Sequence, residues 1–200
     1  RARPAYPPRS GCATGKRAGL VRLGKHHELA VADLARRRPA LLLSLMTSGD
    51  LQRNLDEDEW ERALADALSQ ADSEPADVLR RYRQRHMLRI IWRDFCKTAD
   101  TLETIRDTSR LADACIRQGL VVCRAELEAK HGRPLGRRSG NHQELIVLAM
   151  GKLGAGELNV SSDIDLVFAY PESAETDVDS KPLSNEEFFA RQGRLVVVPL

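Results

Sequence analysis

The sequence predicts an α+β protein in which a helical region leads into the beginning of a mixed domain. Three observations carry that expectation. Residues 29–131 repeat apolar side chains at helical spacing, and Gly132–Gly140 (GRPLGRRSG) breaks the repeat with glycine, proline and arginine. Beyond the break, two short apolar runs, Glu144–Met150 and Asp163–Tyr170, flank a glycine-rich stretch. The expected division is a disordered basic segment over 1–28, a helical domain over 29–131, and the start of a second domain over 132–200.

Along the chain, residues 1–27 hold seven basic side chains (Arg1, Arg3, Arg9, Lys16, Arg17, Arg22, Lys25) and no acid before Glu28. They lack the apolar stretch of a secretory signal. Opening on Arg1 instead of Met suggests a fragment. Gly11–Arg17 has the outline of a phosphate loop but one residue too few between the glycines, Arg after Lys, and no strand before it, so it is rejected. Leu29–Leu45 is rich in Ala and Leu and interrupted by Pro39. Asp56–Gln70 places Leu55, Trp60, Leu64 and Leu68 on one face, with acids in its first turn. Ser73 is the expected cap of the next helix, with Pro75 in its first turn and an apolar face of Leu79, Tyr82, His86 or Met87, Ile90, Ile91 and Phe95, ending near Lys97. Thr101–Lys130 is a further helix closed by Gly132. Glu144–Met150 fits a buried strand and Asp163–Tyr170 a second, stopped by Pro171. Glu172–Ser184 reads as polar loop, and Asn185–Arg191 as the start of another helix.

Composition excludes several functions. Charged residues make up 30% and aromatics 4%, and the net charge is +2, so there is no overall case for nucleic acid as partner. No apolar run approaches the ~18 residues of a membrane span. Cys12, Cys96, Cys115 and Cys123 show no CxxC spacing, and His131 and His142 lack ligand spacing, so free thiols in a reducing cytoplasm are expected in place of zinc. No Ser/His/Asp arrangement supports a hydrolytic triad.

The chemistry concentrates in Met150–Asp165. Residues two apart on a strand share a face, so Asp163 and Asp165 project together, opposite Ile164, Leu166 and Phe168. Adjacent carboxylates repel unless a cation lies between them, and hard oxygen donors suit Mg²⁺, which also takes substrate phosphates. Gly151, Gly154 and Gly156 let backbone amides approach an anion, while Lys152, Ser161 and Ser162 add charge and hydroxyls. Phosphate donors and metal ligands in one segment point to phosphoryl or nucleotidyl transfer. In the arginine stripe Arg80, Arg81, Arg83, Arg85, Arg89 and Arg93, most are expected on a solvated face, with Arg89 and Arg93 the ones to test against phosphate.

The order of strand, glycine turn, ten residues after Lys152, then Asp163-Ile-Asp165 resembles DNA polymerase β-type nucleotidyltransferases, although Lys152 stands where Ser or Gly is usual. The longer string MGKLGAGELNVSSDIDLVFAYPE, with Arg81–Trp92 and Leu111–Cys115 upstream, resembles the glutamine synthetase adenylyltransferase family over about Leu42–Phe189. That resemblance implies an incomplete nucleotidyltransferase domain and a bifunctional enzyme that adds and removes AMP. Gly156–Asn159 and Tyr170–Glu172 resemble the half that removes AMP by phosphorolysis, releasing ADP. It further implies Mg²⁺ on Asp163 and Asp165, phosphate on the glycine turn and serines, ATP/ADP and phosphate as small partners, and glutamine synthetase and a PII-type signalling protein as macromolecular ones. The family's third acid lies downstream of Leu200, so these 200 residues alone are expected to be inactive. The alternatives are the AMP-adding half and a non-catalytic docking module. Arg191–Leu200 departs from the family's helix after Phe189.

Overall fold

The computed structural model describes residues 36–37, 39–178 and 181–197. The basic segment 1–28, the Gly11–Arg17 stretch, Cys12 and Asp179 lie outside them. Six helices and one two-stranded antiparallel sheet are formed within the described residues: α1 (Pro39–Ser48), α2 (Glu57–Gln70), α3 (Pro75–Phe95), α4 (Thr101–His131), β1 (Ile146–Ala149), α5 (Gly151–Gly154), β2 (Leu166–Ala169) and α6 (Asn185–Val197). The protein is therefore mostly helical with a small sheet.

Within the Ala- and Leu-rich stretch, Pro39 stands as the first residue of α1, where a missing N–H costs nothing. Helix α2 opens with Glu57, Asp58 and Glu59 at its positive end, and the Asp56 N–H donates to the Glu59 carboxylate at 3.3 Å. Ser73 is not the cap of α3. Glu74 holds that position and Pro75 begins the helix, while the Ser73 hydroxyl accepts from Arg81. Helix α4, about 46 Å long at 1.5 Å per residue, is capped by Asp100, which accepts from the Glu103 N–H at 2.7 Å. It stops at Gly132, whose φ of 74° is open to glycine and would be strained for other residues.

Helix α4 is the shared wall of the molecule, packing on α2 and α3 along one part and on α6 along another. The first core joins Leu55, Trp60, Leu64, Leu79, Tyr82, Ile90, Leu111, Ala114 and Cys115. The second joins Ala112, Ile116 and Cys123 of α4 to Leu153, Leu158 and Val196, with Val147, Ala149, Ile164 and Leu166 against it. Helix α6 thus runs on to Val197, and Val196 is buried at 2% exposure over Gly119. Cys115 and Cys123 are free and buried, and burial pushes their thiols up to about 12 and about 11.

The arginine stripe is where the helical region departs most from expectation. Arg89 is fully buried and Arg93 is 3% exposed, so neither faces a phosphate. Arg89 donates to Asp107 at 2.9 Å and to the carbonyls of Asp50 and Arg53 at 2.9 and 2.6 Å. Arg93 donates to Glu103 at 2.7 Å, to Asn54 at 2.6 Å and to the Leu51 carbonyl at 2.8 Å. Together they fasten the 50–54 turn and α4 to α3. Burial pulls Arg89 down and pushes Asp107 up from their ordinary values, and their ion pair opposes both shifts.

The 132–140 segment is also tighter than a linker. Pro134 bridges Thr176, Leu135 bridges His142, and the Gly136 N–H donates to the Asn141 carbonyl at 2.8 Å. Glu172 accepts from the Arg138 N–H at 2.8 Å, and fully buried Asn185 donates to the carbonyls of Leu135 and Glu172 at 2.8 and 2.7 Å. The polar 172–184 loop is held to the hairpin by these bonds.

Candidate phosphoryl-transfer site

The sheet is shorter and more exposed than its sequence suggests. β1 pairs with β2 in the register Ile146↔Ala169 to Ala149↔Leu166. Ile146, Leu148 and Val167 remain 47%, 50% and 46% exposed, so β1 is not the buried strand expected. Asp163 and Asp165 fall on the extended lead-in to β2 and not on the strand itself, though the Met150 N–H still donates to the Asp165 carbonyl at 2.9 Å. The alternation holds through this lead-in. Asp163, Asp165 and Val167 are exposed, while Ile164 and Leu166 turn inward against the second core. Phe168 does not share that inward packing and lies over Gly193 of α6.

Between β1 and the carboxylates the chain makes the one-turn helix α5 and then a loop. Gly151 has φ 56° and lies beside Asp165, since a Cβ there would sit 3.8 Å from its carboxylate oxygen. Gly154 is required for a different reason than positive φ. A Cβ at that position would fall 2.3 Å from the Ala149 carbonyl oxygen, so any side chain collides with β1. Gly156 has φ 70° with open space around it. The N–H groups of Gly154 and Gly156 donate to the carbonyls of Met150 and Leu153 at 3.2 and 2.9 Å, which turns them into the chain and away from any anion.

Lys152 and the serines are brought together. The Lys152 ammonium donates to the Ser162 hydroxyl at 3.2 Å, and Ser162 donates to the Asn159 side-chain oxygen at 2.6 Å. Ser161 reaches the same oxygen at 3.4 Å. Asn159 is thus the organiser of a cluster whose named members were only its hydroxyls and ammonium. The loop that carries it is fastened to the helices: the Leu158 N–H donates to the α4 hydroxyl of Ser109 at 3.0 Å, and Val160 packs on the first core.

An open groove of about 540 Å³ runs past Ser162, Asp163, Ile164, Asp165, Leu166 and Phe168, and Arg83 of α3 also lines it. No third His, Cys, Asp or Glu among the described residues joins the two carboxylates in a group able to hold a metal ion. Of the described acids just downstream, Glu172 and Asp177 are engaged with the backbone amides of Arg138 and Arg133.

The model of one protein family, glutamate–ammonia ligase adenylyltransferase, matches residues 27–198. The chain belongs to the glutamate–ammonia ligase adenylyltransferase family. Curated relatives agree. A Pseudomonas putida protein named as a bifunctional glutamine synthetase adenylyltransferase/adenylyl-removing enzyme is 45% identical over 172 residues, covering 85% of this chain and 18% of its own length. Proteins of the same name from Nitrosococcus oceani and Pseudomonas syringae are 45% and 46% identical over 84% and 82% of the chain, and 17% of their own lengths. The chain therefore spans less than a fifth of these adenylyltransferases. Among the described residues no helix is long and apolar enough to cross a membrane.

Within this member of the adenylyltransferase family, sequence reasoning missed Arg83 and Asn159. Arg83 had a usable signal: it stands four residues after Leu79 and four before Met87, inside the apolar row of α3. An arginine in that row faces the neighbouring elements and not solvent.

Proposed function

We propose that the Asp163–Asp165 groove is a nucleotidyl-transfer site that removes AMP from adenylylated glutamine synthetase by phosphorolysis. An orthophosphate oxygen attacks the AMP phosphorus, the bond to the tyrosine oxygen breaks, the tyrosine takes up a proton, and ADP leaves. One observation carries the reading: two carboxylates project from one exposed face of the β2 lead-in, opposite the half-buried Ile164 and Leu166, beside the Lys152–Ser162–Asn159 cluster.

The donor set fits Mg²⁺. Two exposed carboxylates supply hard oxygens and leave the remaining positions to water and substrate phosphate, as this ion prefers. Bound there, Mg²⁺ would offset the charge of the phosphate oxygens. Lys152 keeps two further N–H donors beyond its bond to Ser162 and adds a positive charge at the groove's edge. Asn159 holds both serine hydroxyls in register, and a phosphate oxygen would compete with it for their protons. Asn159 is also the position where the chain reads Glu-Leu-Asn, the form resembling the removing half. Glutamine synthetase, a PII-type protein, ATP/ADP and phosphate are the partners this function requires, in the cytoplasm.

Labelled orthophosphate tests the reaction type in the complete gene product. With adenylylated glutamine synthetase and Mg²⁺, the label is expected in the β-phosphate of ADP. Release of unlabelled AMP would mean hydrolysis and overturn phosphorolysis.

A further inference from the structure

We propose that Arg83, contributed by the helical region, is a phosphate-binding residue of the groove. The inference rests on the reading of that groove as a phosphoryl-transfer site and adds to it the one guanidinium that, among the described residues, lines the groove with the carboxylates.

Arg83 differs from the other arginines of α3. Arg80 pairs with Asp77, Arg81 with Ser73, Arg85 with Asp50, Arg89 with Asp107 and Arg93 with Glu103. Among the described residues Arg83 has no hydrogen bond and no ion pair, yet it is half-buried. It lines the groove with Ser162, Asp163 and Asp165, and it also lines the narrow cleft behind it with Asn159 and Ile164. The Ser109–Leu158 bond and the packing of Val160 fix that loop on α3 and α4, which keeps Arg83 and the acids on one groove.

A half-buried guanidinium with five free donors calls for an acceptor. Asp163 and Asp165 are close enough to share a groove with it but not to pair with it. An anion between them satisfies all three: a cation on the carboxylates holds some phosphate oxygens, and the planar fork of Arg83 takes two others. The ligand class is a tetrahedral phosphate, either the AMP phosphate of the modified protein or the incoming orthophosphate. Charge placed where a phosphoryl group transfers stabilises the transition state as well as the bound state.

The test uses the complete gene product with Arg83→Gln and Arg83→Lys. Arg83 makes no internal bond, so neither variant should lower the melting temperature appreciably. By titration calorimetry with Mg²⁺ present, orthophosphate should bind Arg83→Gln about 10- to 100-fold more weakly, the loss of a charge-assisted bidentate contact. Arg83→Lys should fall between Arg83→Gln and the unaltered protein. Mg²⁺ alone should bind no more weakly, since a positive neighbour of the carboxylates has been removed. In the AMP-removal assay, a raised KM for orthophosphate identifies the incoming phosphate as the ligand. A raised KM for adenylylated glutamine synthetase with that for orthophosphate unchanged identifies the AMP phosphate. Active unaltered protein with Arg83→Gln indistinguishable in binding and in both KM values would overturn the role of Arg83. Unaltered protein that releases no ADP would instead overturn the reading of the groove.

Discussion

The α2–α3–α4 frame and the β1–β2 sheet treat their polar and apolar groups in opposite ways. In the frame even arginine is buried, and each buried guanidinium is matched by acids and carbonyls. In the sheet the apolar side chains of Ile146, Leu148 and Val167 are half-exposed, the carboxylates face solvent, and Arg83 on the same groove has no hydrogen-bond or ion-pair partner among the described residues. Saturated bonding gives rigidity. Unsaturated bonding leaves donors and acceptors for something not part of the chain. The contrast teaches that the helices are the support and that the sheet margin is where donors and acceptors remain open, with α4 and the Leu158–Ser109 bond coupling the two.

Substitutions sharpen the comparison, and the largest stability loss should come from the frame. Arg89→Ala leaves Asp107 buried without its partner and should cost about 3–5 kcal/mol. Urea denaturation should show the loss. Adding Asp107→Leu to Arg89→Met should recover part of it, whereas a double variant as unstable as Arg89→Ala would mean that the carbonyl bonds dominate. At the margin, Gly154→Ala should cost about 1–3 kcal/mol, because its methyl must displace the Ala149 carbonyl. Gly156→Ala, with open space but φ 70°, should cost about 1–2 kcal/mol. Equal melting curves for Gly154→Ala and the parent would remove the collision from the account.

An effect of similar size should appear on acidification. His86 lies among Trp60, Tyr82, Arg85 and Arg89, and burial followed by the two arginine charges lowers it to about 3. The unfolded chain then binds the proton more readily below about pH 6.5, so stability falls as pH drops toward 3. About 2 kcal/mol should be lost between pH 8 and pH 5 from this group. His86→Phe should flatten that part of the profile. Asp50 acts lower: burial alone would raise it, but bonds from Arg85 and Ser48 hold it at about 2, so its contribution persists above about pH 4 and fades toward pH 2.

Periodicity made the frame readable. The helices over 57–70, 75–95 and 101–131 follow from apolar spacing and from Asp100 and Gly132 at the ends of α4. Periodicity identifies a face but not what lies across from it. Arg89 and Arg93 looked available because half of their acceptors are backbone carbonyls of Asp50, Leu51 and Arg53, which carry no sequence signature. The candidate site was readable through its motif, down to Asp163, Asp165, Lys152 and the serines. For Arg83 the apolar row of α3 signals an inward face but not what lies there, because the groove is some eighty residues downstream and only the packed loop brings the two together. Gly154 was read as letting an amide approach an anion when the constraint is the neighbouring carbonyl, a contact that exists only once β1 and α5 have folded.

The central claim is that Asp163 and Asp165 carry the removal of AMP. Its most direct test is ADP release from adenylylated glutamine synthetase, orthophosphate and Mg²⁺ by the complete gene product carrying Asp163→Asn or Asp165→Asn, with ATP-dependent adenylylation measured alongside. An amide keeps the shape of the carboxylate and loses its charge. The account predicts that each variant loses ADP release while its melting curve and its adenylylation remain those of the parent. ADP release at the parental rate by both variants would contradict it.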